Sequence, residues 1–292
     1  MTVINRLERI KKELKRYLKL DLEDYGLTAL ASGEYTSKYI GVQMYSAYQP
    51  IYDSANGELL GHEAYLKPYL GEELISTPDF VFNYAEKAGK LVQFDRTSRA
   101  LHVLNFKQIY GDTGLLFLSV HPNLLVTVNE HGKTFERILH AYSIPTSRVV
   151  IQIEEALIDE DKLVAEAIQN YRERGYLIAI NNFGNKKSHI DRLWLFSPNF
   201  VKLDPQLISK AESNLKVKQI LPGLIKIIQD IGGEAIISGI ENQAQLDIAI
   251  ETGAKILQGP FLGEAVSAKD LQPNKLFSKP KLAIAKVNQM ER

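Results

Sequence analysis

The sequence predicts an α/β fold, a modified (β/α)₈-type barrel with an N-terminal helical extension. From about residue 40 to 265, short apolar runs alternate with amphipathic stretches, which is typical of successive strand-helix units around a parallel sheet. No glycine-rich phosphate loop follows the first strand, which favours a barrel over a doubly wound sheet. We therefore expect a barrel domain at 40–268, flanked by a helix and linker at 1–39 and a C-terminal extension at 269–292.

The first predicted element is a helix at residues 2–24. Its apolar residues alternate three and four positions apart, as in a coiled-coil seam: Val3, Leu7, Ile10, Leu14 and Tyr17. About two heptads make a weak coiled coil alone. We therefore expect this helix to pack on the barrel or on a partner.

The barrel region is built from apolar runs that we predict to be strands, with helices between them. The runs are Leu115 to Val120, Val149 to Ile153, Leu177 to Ile180, Phe200 to Leu203, Ala235 to Ile237 and Lys255 to Leu257. One helical pattern covers Leu163 to Tyr171 and ends at Gly175. Another covers Leu224 to Ile231, and we expect Pro222 to start or kink it.

Composition limits the partners and the compartment. Thirty-five basic and thirty-five acidic side chains cancel, so no global field recruits nucleic acid or an anionic membrane. The chain has no cysteine, which excludes disulfides and thiolate chemistry and suits a reducing cytoplasm. No apolar stretch has the length of a membrane span. We predict a cytoplasmic protein with no nucleic-acid partner and no membrane span.

Polar residues stand at the end of each predicted strand. In a barrel of parallel strands such positions gather at one mouth, which is where these folds place their sites. The positions are Glu63, His121, Gln152, Asn181, Asn182, Lys202, Ser238 and Gln258.

Six short motifs, in order along the barrel region, resemble EAL domains. They are Gln49-Pro50-Ile51-Tyr52, Gly61-His62-Glu63-Ala64-Tyr65-Leu66-Lys67, Asn182-Phe183-Gly184, Val201-Lys202-Leu203-Asp204, Gly239-Ile240-Glu241 and Gln258-Gly259. Active members of that family are phosphodiesterases that linearise cyclic di-GMP with two Mg²⁺ or Mn²⁺ ions. The resemblance implies a modified triosephosphate-isomerase-type barrel.

The resemblance also implies a degenerate site. Of the family's metal ligands only Glu63 survives, and the other ligand positions hold His121, Gln152, Asn181, Asn182 and Ser238. Lys202 and Gln258 are retained as vestiges of the catalytic site. One carboxylate cannot hold two dications, and His121 could at best join Glu63 on one softer ion. We expect no Mg²⁺ or Mn²⁺ cofactor and no catalysis, with Lys202 paired to Glu63.

A ligand-binding set follows from the same resemblance. It contains Gln49, Glu63, Tyr65, Lys67, Asp95, Asn181, Asn182, Lys202, Glu241, Gln258 and Phe261, with Glu155 nearby. Tyr65 and Lys67 replace a family Leu and Arg, and Lys gives a phosphate a point charge rather than a fork. For Tyr65 and Phe261 core packing is the alternative, and for Asp95 a salt bridge or helix cap.

Three functions remain open. The leading hypothesis is a catalytically inactive receptor for cyclic di-GMP in bacterial signalling. The second is an adaptor that binds a protein partner, not yet identified, and no nucleotide. The third is a residual phosphodiesterase. A homodimer is compatible with each of them.

Overall fold

The computed structural model describes residues 27–39, 42–74, 78–110, 114–128, 132–154 and 160–271, with the single positions 12 and 157. The predicted helix at 2–24, apart from position 12, lies outside the described residues. So do Glu155 and the extension beyond residue 271. The predicted domain limits therefore stay predictions.

A closed barrel of eight strands forms the centre of the molecule, as the sequence predicts. The strands are β3 (Val42–Asp53), β4 (Leu59–Leu70), β6 (Leu115–Ser119), β7 (Val149–Glu154), β8 (Leu177–Phe183), β9 (Phe200–Leu203), β10 (Glu234–Ile237) and β11 (Ile256–Gln258). Strands β4 and β6 to β11 pair in parallel. Strand β3 closes the barrel by pairing antiparallel with both β11 and β4. This reversed strand is the modification of the (β/α)₈ plan.

Short strands extend the barrel sheet at its margins. They are β1 (Thr28–Ala29), β2 (Tyr35–Tyr39), β5 (Glu73–Leu74) and β12 (Val266–Ser267). Strands β3 and β4 are twelve residues each and remain paired from Val42 with Leu70 to Tyr52 with Leu59. Their outer ends form a ribbon that projects past the barrel on the mouth side. This ribbon supplies one wall of the mouth.

Helices surround the barrel and alternate with its strands. They are α1 (Asp79–Lys87), α2 (Leu91–Tyr110), α3 (Pro122–Thr127), α4 (Lys133–Ala141), α5 (Asp161–Glu173), α6 (Arg192–Phe196), α7 (Pro205–Ser213), α8 (Leu215–Asp230) and α9 (Gln243–Glu251). Helix α5 buries Val164, Ala167, Ile168 and Tyr171, the predicted apolar face. Of the two alternatives for Pro222, the one in which it starts α8 is wrong, because that proline lies inside the helix, and the kink stays a prediction. The capping side chain of Asn214 starts the helix instead, by accepting from the Lys216 and Val217 backbone amides.

An apolar layer fills the lower part of the barrel interior, and a polar layer follows it toward the mouth. The apolar layer contains Ile51, Phe117, Val150, Ala179, Ile236 and Ile256. Because strand side chains alternate, the residue two positions further on faces the same interior. The pairs are Val150 and Gln152 on β7, Phe200 and Lys202 on β9, and Ile256 and Gln258 on β11. Strand periodicity thus brings polar side chains to one level of the barrel.

Candidate functional site

The centre of the site is the carboxylate of Glu63, which is buried with 3% of its surface exposed. The Lys202 Nζ forms an ion pair with Glu63 Oε2. The same oxygen accepts from the Tyr65 hydroxyl at 2.6 Å and from Gln258 Nε2 at 2.8 Å. The other oxygen, Oε1, accepts from Gln152 Nε2 at 3.0 Å. Four donors from strands β4, β7, β9 and β11 therefore surround one carboxylate.

This environment keeps Glu63 ionised. Burial raises the pKa of the Glu63 carboxyl, but the charge of Lys202 and the hydrogen bonds from Lys202, Tyr65 and Gln258 act in the opposite direction. The net result is a pKa below the usual value for glutamate. Burial and the neighbouring Glu63 charge raise the pKa of Tyr65, so its phenol stays protonated and donates. The centre is a buried ion pair with its hydrogen-bonding capacity largely used.

Gln49 extends this network toward β3. Its Oε1 accepts from Gln258 Nε2 at 3.2 Å and lies 3.3 Å from the Tyr65 hydroxyl. Its Nε2 donates to the Gly263 carbonyl at 3.2 Å. A Cβ on Gly263 would lie 2.4 Å from the Pro50 ring, so this close approach requires glycine. The amide orientation of Gln49 is therefore set from both sides.

Three amide oxygens near this level are buried and have no hydrogen-bond partner among the described residues. They belong to Gln152, Asn181 and Gln258. In Gln152 and Gln258 the amide nitrogen donates to Glu63, which leaves the oxygen as the free acceptor. A buried acceptor without a partner is unfavourable, so these oxygens are places where a ligand donor or a water would be stabilised.

The end of β8 does not direct its second amide at Glu63. Asn182 has a φ of 53°, in the left-handed region, and the β8–β9 register shifts between Ile180 and Phe183. The Asn182 Nδ2 donates to both carboxylate oxygens of Glu154, at 2.8 and 3.0 Å. Glu154 is not among the predicted site residues, although it lies two residues after Gln152 and alternation gives it the same face.

Two of the positions that replace metal ligands have local structural contacts. The His121 ring stacks on Phe82, with centroids 5.6 Å apart, and its Nδ1 accepts from the Asn123 backbone amide at the start of α3. The Ser238 hydroxyl donates to the Leu203 carbonyl at 2.6 Å. These contacts direct both side chains at neighbouring loops and helices rather than at Glu63.

Asp95 forms a second buried ion pair, on α2. Its Oδ2 accepts from Arg99 Nε at 2.8 Å and lies 2.5 Å from Arg99 Nη2. Its Oδ1 accepts from the His121 backbone amide at 3.3 Å. Both oxygens are engaged within the protein, which is the salt-bridge alternative considered for this residue.

The remaining predicted residues lie around the rim. Lys67 follows Tyr65 on the same face of β4 and lines an open groove of about 660 Å³ with Tyr45 and Tyr69. The Glu241 side chain is exposed. Phe261 packs against the hydrophobic core, which is the alternative considered for it. The structure thus joins Gln49, Glu63, Tyr65, Gln152, Lys202 and Gln258 in one hydrogen-bond network, and the other predicted residues take no part in it.

Nowhere among the described residues do three or more His, Cys, Asp or Glu side chains come together in an arrangement for a metal ion. None of the helices in that part of the chain combines the length and the apolar character needed to cross a bilayer.

Known proteins with similar sequences share one domain. The EAL domain family matches residues 39–265. YkuI of Bacillus subtilis, an uncharacterized EAL-domain containing protein, is 25% identical over 219 residues, 74% of this chain and 53% of YkuI. RocR of Pseudomonas aeruginosa, a cyclic di-GMP phosphodiesterase, is 26% identical over 219 residues, 73% of this chain and 55% of RocR. The chain thus spans about half the length of these curated relatives.

Solved structures of similar proteins have the same barrel. A standalone EAL protein from Vibrio cholerae, with c-di-GMP bound, matches with a TM-score of 0.68 and 21% identity over 80% of this chain and 97% of its own. YkuI in complex with c-di-GMP and calcium matches with a TM-score of 0.70 and 23% identity over 85% of this chain and 63% of its own. At these identities the structural match supports the fold alone. With the family match over most of its length, the chain belongs to the EAL domain family.

Proposed function

We propose that this EAL-family chain is a receptor that binds cyclic di-GMP without metal ions and does not hydrolyse it. The observation that carries the proposal is the saturation of Glu63. Its carboxylate accepts from Tyr65, Gln152 and Gln258 and is ion-paired with Lys202. The one acidic side chain retained from the family's ligand set is therefore already occupied by protein donors.

The donor set around Glu63 is a poor match for a pair of divalent cations. Mg²⁺ requires oxygen ligands and dehydrates reluctantly, and a two-metal site places two dications about 3.5–4 Å apart. A cation at Glu63 would have to displace the Lys202 ammonium and face the amide hydrogens of Gln152 and Gln258. The other positions at which the family places metal ligands carry no negative charge, since they hold His121, Gln152, Asn181, Asn182 and Ser238. We infer that Mg²⁺ and Mn²⁺ are not required for ligand binding.

Loss of metals removes the route to hydrolysis. Water has a pKa of about 15.7 and becomes a nucleophile near neutral pH only when a metal lowers that value. Lys202 is paired with Glu63 and, as a cation, cannot act as the base. The same neutral surroundings make the mouth less repulsive to a ligand with two phosphates. The chemistry therefore favours binding over turnover.

The rim offers groups that suit a nucleotide. Lys67 is a partly buried residue that supplies an ammonium group, and Tyr45 and Tyr69 line the same groove. Ammonium groups pair with phosphates, and tyrosine rings stack on bases. Relatives of this chain named as cyclic di-GMP phosphodiesterases, and c-di-GMP complexes of similar barrels, support this choice of ligand.

Calorimetric titration with cyclic di-GMP tests the proposal. Titrations in EDTA and in Mg²⁺ or Mn²⁺ are compared, and the products are separated by chromatography. If the chain is a receptor, cyclic di-GMP should bind equally well in EDTA, in Mg²⁺ and in Mn²⁺, and it should be intact after each titration. Conversion to the linear dinucleotide would establish an enzyme instead. Lys67→Gln should weaken binding, and Lys90→Gln, a change at an exposed lysine on the loop before α2, is the matched control.

An adaptor that binds no nucleotide is the second candidate. The observation that favours it is a group of exposed apolar side chains around α6, with Ile190 53%, Leu195 47% and Trp194 61% exposed. Neighbouring exposed apolar residues are typical of protein-binding surfaces. A folded protein that is silent in every titration would support this candidate and exclude the receptor.

A further inference from the structure

The groove that contains Lys67 runs along the outer part of the β3–β4 ribbon, and we call it the ribbon groove. Its volume is about 660 Å³. Tyr45, Ala47, Lys67 and Tyr69 form its floor, because the antiparallel register of β3 and β4 puts them on one face. The β1–β2 hairpin and residues 265–270 line it alongside, since β2 and β12 both pair with β3. Three separate parts of the chain therefore build this groove.

Acidic side chains outnumber basic ones along the ribbon groove. The carboxylates are those of Glu34, Glu72 and Asp270, and the ammonium groups are those of Lys67 and Lys269. Glu34 accepts from the Ser32 hydroxyl at 3.2 Å, and Asp270 accepts from the Ser267 hydroxyl at 2.6 Å. None of the three carboxylates has an ion-pair partner in the described part of the chain. The groove can therefore accept cationic side chains.

The floor of the ribbon groove also offers aromatic surface. The rings of Tyr45 and Tyr69 are edge to face, with centroids 5.5 Å apart, and both residues are partly buried. Leu30 and Ala265 line the groove near them. Aromatic rings in such arrangements pack well against a further ring. The occupant that fits this surface is an apolar or aromatic side chain flanked by cations.

The chain leaves the described part of the structure at this groove. Asp270 lines the groove, and Leu271 is the next residue and the last one described. Residues 272–292 carry one acidic and five basic side chains: Glu291 against Lys275, Lys279, Lys281, Lys286 and Arg292. Leu276 and Phe277 stand between the first two lysines. Phe277 is six residues beyond Leu271, and six residues span at most about 20 Å, so this segment can reach the groove from its own wall.

We propose that residues 275–281 of this chain bind in its own ribbon groove. Phe277 packs against the Tyr45–Tyr69 pair, and the flanking lysines pair with the carboxylates of the groove. This docking does not depend on what the barrel mouth binds. Lys67 and the two tyrosine rings are also the groups offered to cyclic di-GMP, so the docked segment competes with the nucleotide. That consequence rests on the proposed function.

Disulfide formation in the full chain tests the docking, because the chain has no cysteine and two introduced thiols are its only ones. Ser32→Cys places a thiol on an exposed turn beside the groove, and Ser278→Cys places one next to Phe277. At low protein concentration with a mild oxidant, the docked segment should form the intramolecular disulfide quickly. The control pairs Ser278→Cys with Asn56→Cys, an exposed position at the opposite end of the ribbon. We expect the groove pair to react on the order of tenfold faster.

Charge variants of the same cysteine pair separate docking from chance encounters. Lys275→Glu with Lys279→Glu should slow the reaction to the rate of the Asn56 control. Lys286→Glu makes the same kind of change outside the proposed segment and should retain the fast rate. Equal rates for the groove pair and the control pair would overturn the proposal. A disulfide between two chains rather than within one would overturn it too, because the occupant would then be a second copy.

Calorimetric titration with cyclic di-GMP tests the competition. The disulfide-linked protein should bind the nucleotide on the order of tenfold more weakly than the same protein after reduction. Equal affinities would exclude the competition, although a fast disulfide would still establish the docking. Absence of binding in both forms would contradict the proposed function, and the competition with it, but not the docking.

Discussion

Two buried ion pairs lie close to the mouth of the barrel, and they are opposite in their balance of donors and acceptors. At Glu63–Lys202 one carboxylate receives four donors from four strands. At Asp95–Arg99 the carboxylate is paired with Arg99, the charge of Arg96 is close enough to act on both groups, and the Arg99 Nη1 has no hydrogen-bond partner among the described residues. The first pair is saturated around its anion, whereas the second has an excess of cation.

This difference bears on whether either carboxylate could bind a metal ion. Oε2 of Glu63 has three donors and Oε1 has one, so a cation brought to this carboxylate must displace Lys202 or lie against the amide hydrogens of Gln152 and Gln258. At the second pair, the Arg99 guanidinium is stabilised by Asp95 and by the Phe135 ring, because a buried charge is costly unless it is paired. The proposal that this chain binds its ligand without metal ions rests on the first of these two pairs.

The largest expected effect comes from breaking the saturated pair. Lys202→Met leaves the Glu63 carboxylate buried without its cation, and we expect a loss of about 3–5 kcal/mol in the free energy of unfolding. Urea denaturation measures this change. The double variant Glu63→Gln with Lys202→Met should recover most of the loss, since no unpaired charge remains. A loss below about 1 kcal/mol would mean that the pair contributes as little as a surface pair does.

Acid should act first on two histidines rather than on the Glu63 pair. Burial lowers the pKa of His62 to about 4 and that of His102 to about 3, from 6.5. Between those values and 6.5 the unfolded chain binds protons that the folded chain does not, so stability is present above pH 6.5 and falls as pH decreases. From about pH 7 to about pH 5.5 we expect a loss of roughly 1–1.5 kcal/mol for each histidine.

Urea denaturation across this pH range checks the expectation. The pKa of Glu63 is lowered from 4.5, so its own contribution is lost only at lower pH. His102→Gln should reduce the slope, whereas His140→Gln, at an exposed position, should not. Stability that stays constant down to about pH 5.5 would contradict the burial of neutral imidazoles.

Replacing the cation of the Asp95–Arg99 pair by methionine should reduce the free energy of unfolding less than Lys202→Met does. Arg99→Met also removes a buried cation, but it relieves the repulsion with Arg96 and removes a donor without a partner. We expect a loss of about 1–3 kcal/mol, smaller than for Lys202→Met under the same conditions. The reverse order of the two losses would show that the cation excess at Asp95 is not a source of instability.

Removal of a single hydroxyl group should have the smallest effect on the free energy of unfolding. Tyr65→Phe removes the hydrogen bond to Glu63 Oε2 and should reduce stability by about 1–2 kcal/mol. Tyr69→Phe, on the same face of β4, is the matched control and should cost less. Denaturation curves that coincide for the two variants would indicate that the Tyr65 hydroxyl bond adds nothing to Glu63.

Sequence periodicity predicted the barrel and the level at which its polar side chains meet. Apolar runs with alternating side chains are sufficient to place Gln152, Lys202 and Gln258 on one interior face, because alternation leaves no freedom within a strand. His121 and Ser238 follow the ends of their strands, where periodicity no longer fixes direction. Their contacts with Phe82 and with the Leu203 carbonyl depend on neighbouring loops.

For other contacts the sequence contains only a weak pattern, or a pattern that the prediction did not use. Asp95 and Arg99 are four residues apart on a helix, a spacing that allows an ion pair, but their burial depends on packing against α4. The bond from Asn182 to Glu154 requires a left-handed residue at a register shift, which no sequence pattern here indicates. Site geometry was predictable within strands and not at their ends.

The most direct test of the account is a calorimetric titration of cyclic di-GMP, in EDTA, into the unmodified chain and into Glu63→Gln. Glutamine keeps the shape of the side chain and removes its negative charge, which frees the Lys202 ammonium for a phosphate. We predict metal-free binding to both proteins, tighter for Glu63→Gln by about tenfold, which corresponds to roughly 1.4 kcal/mol. Binding that requires Mg²⁺ or Mn²⁺ and disappears in Glu63→Gln would contradict the account.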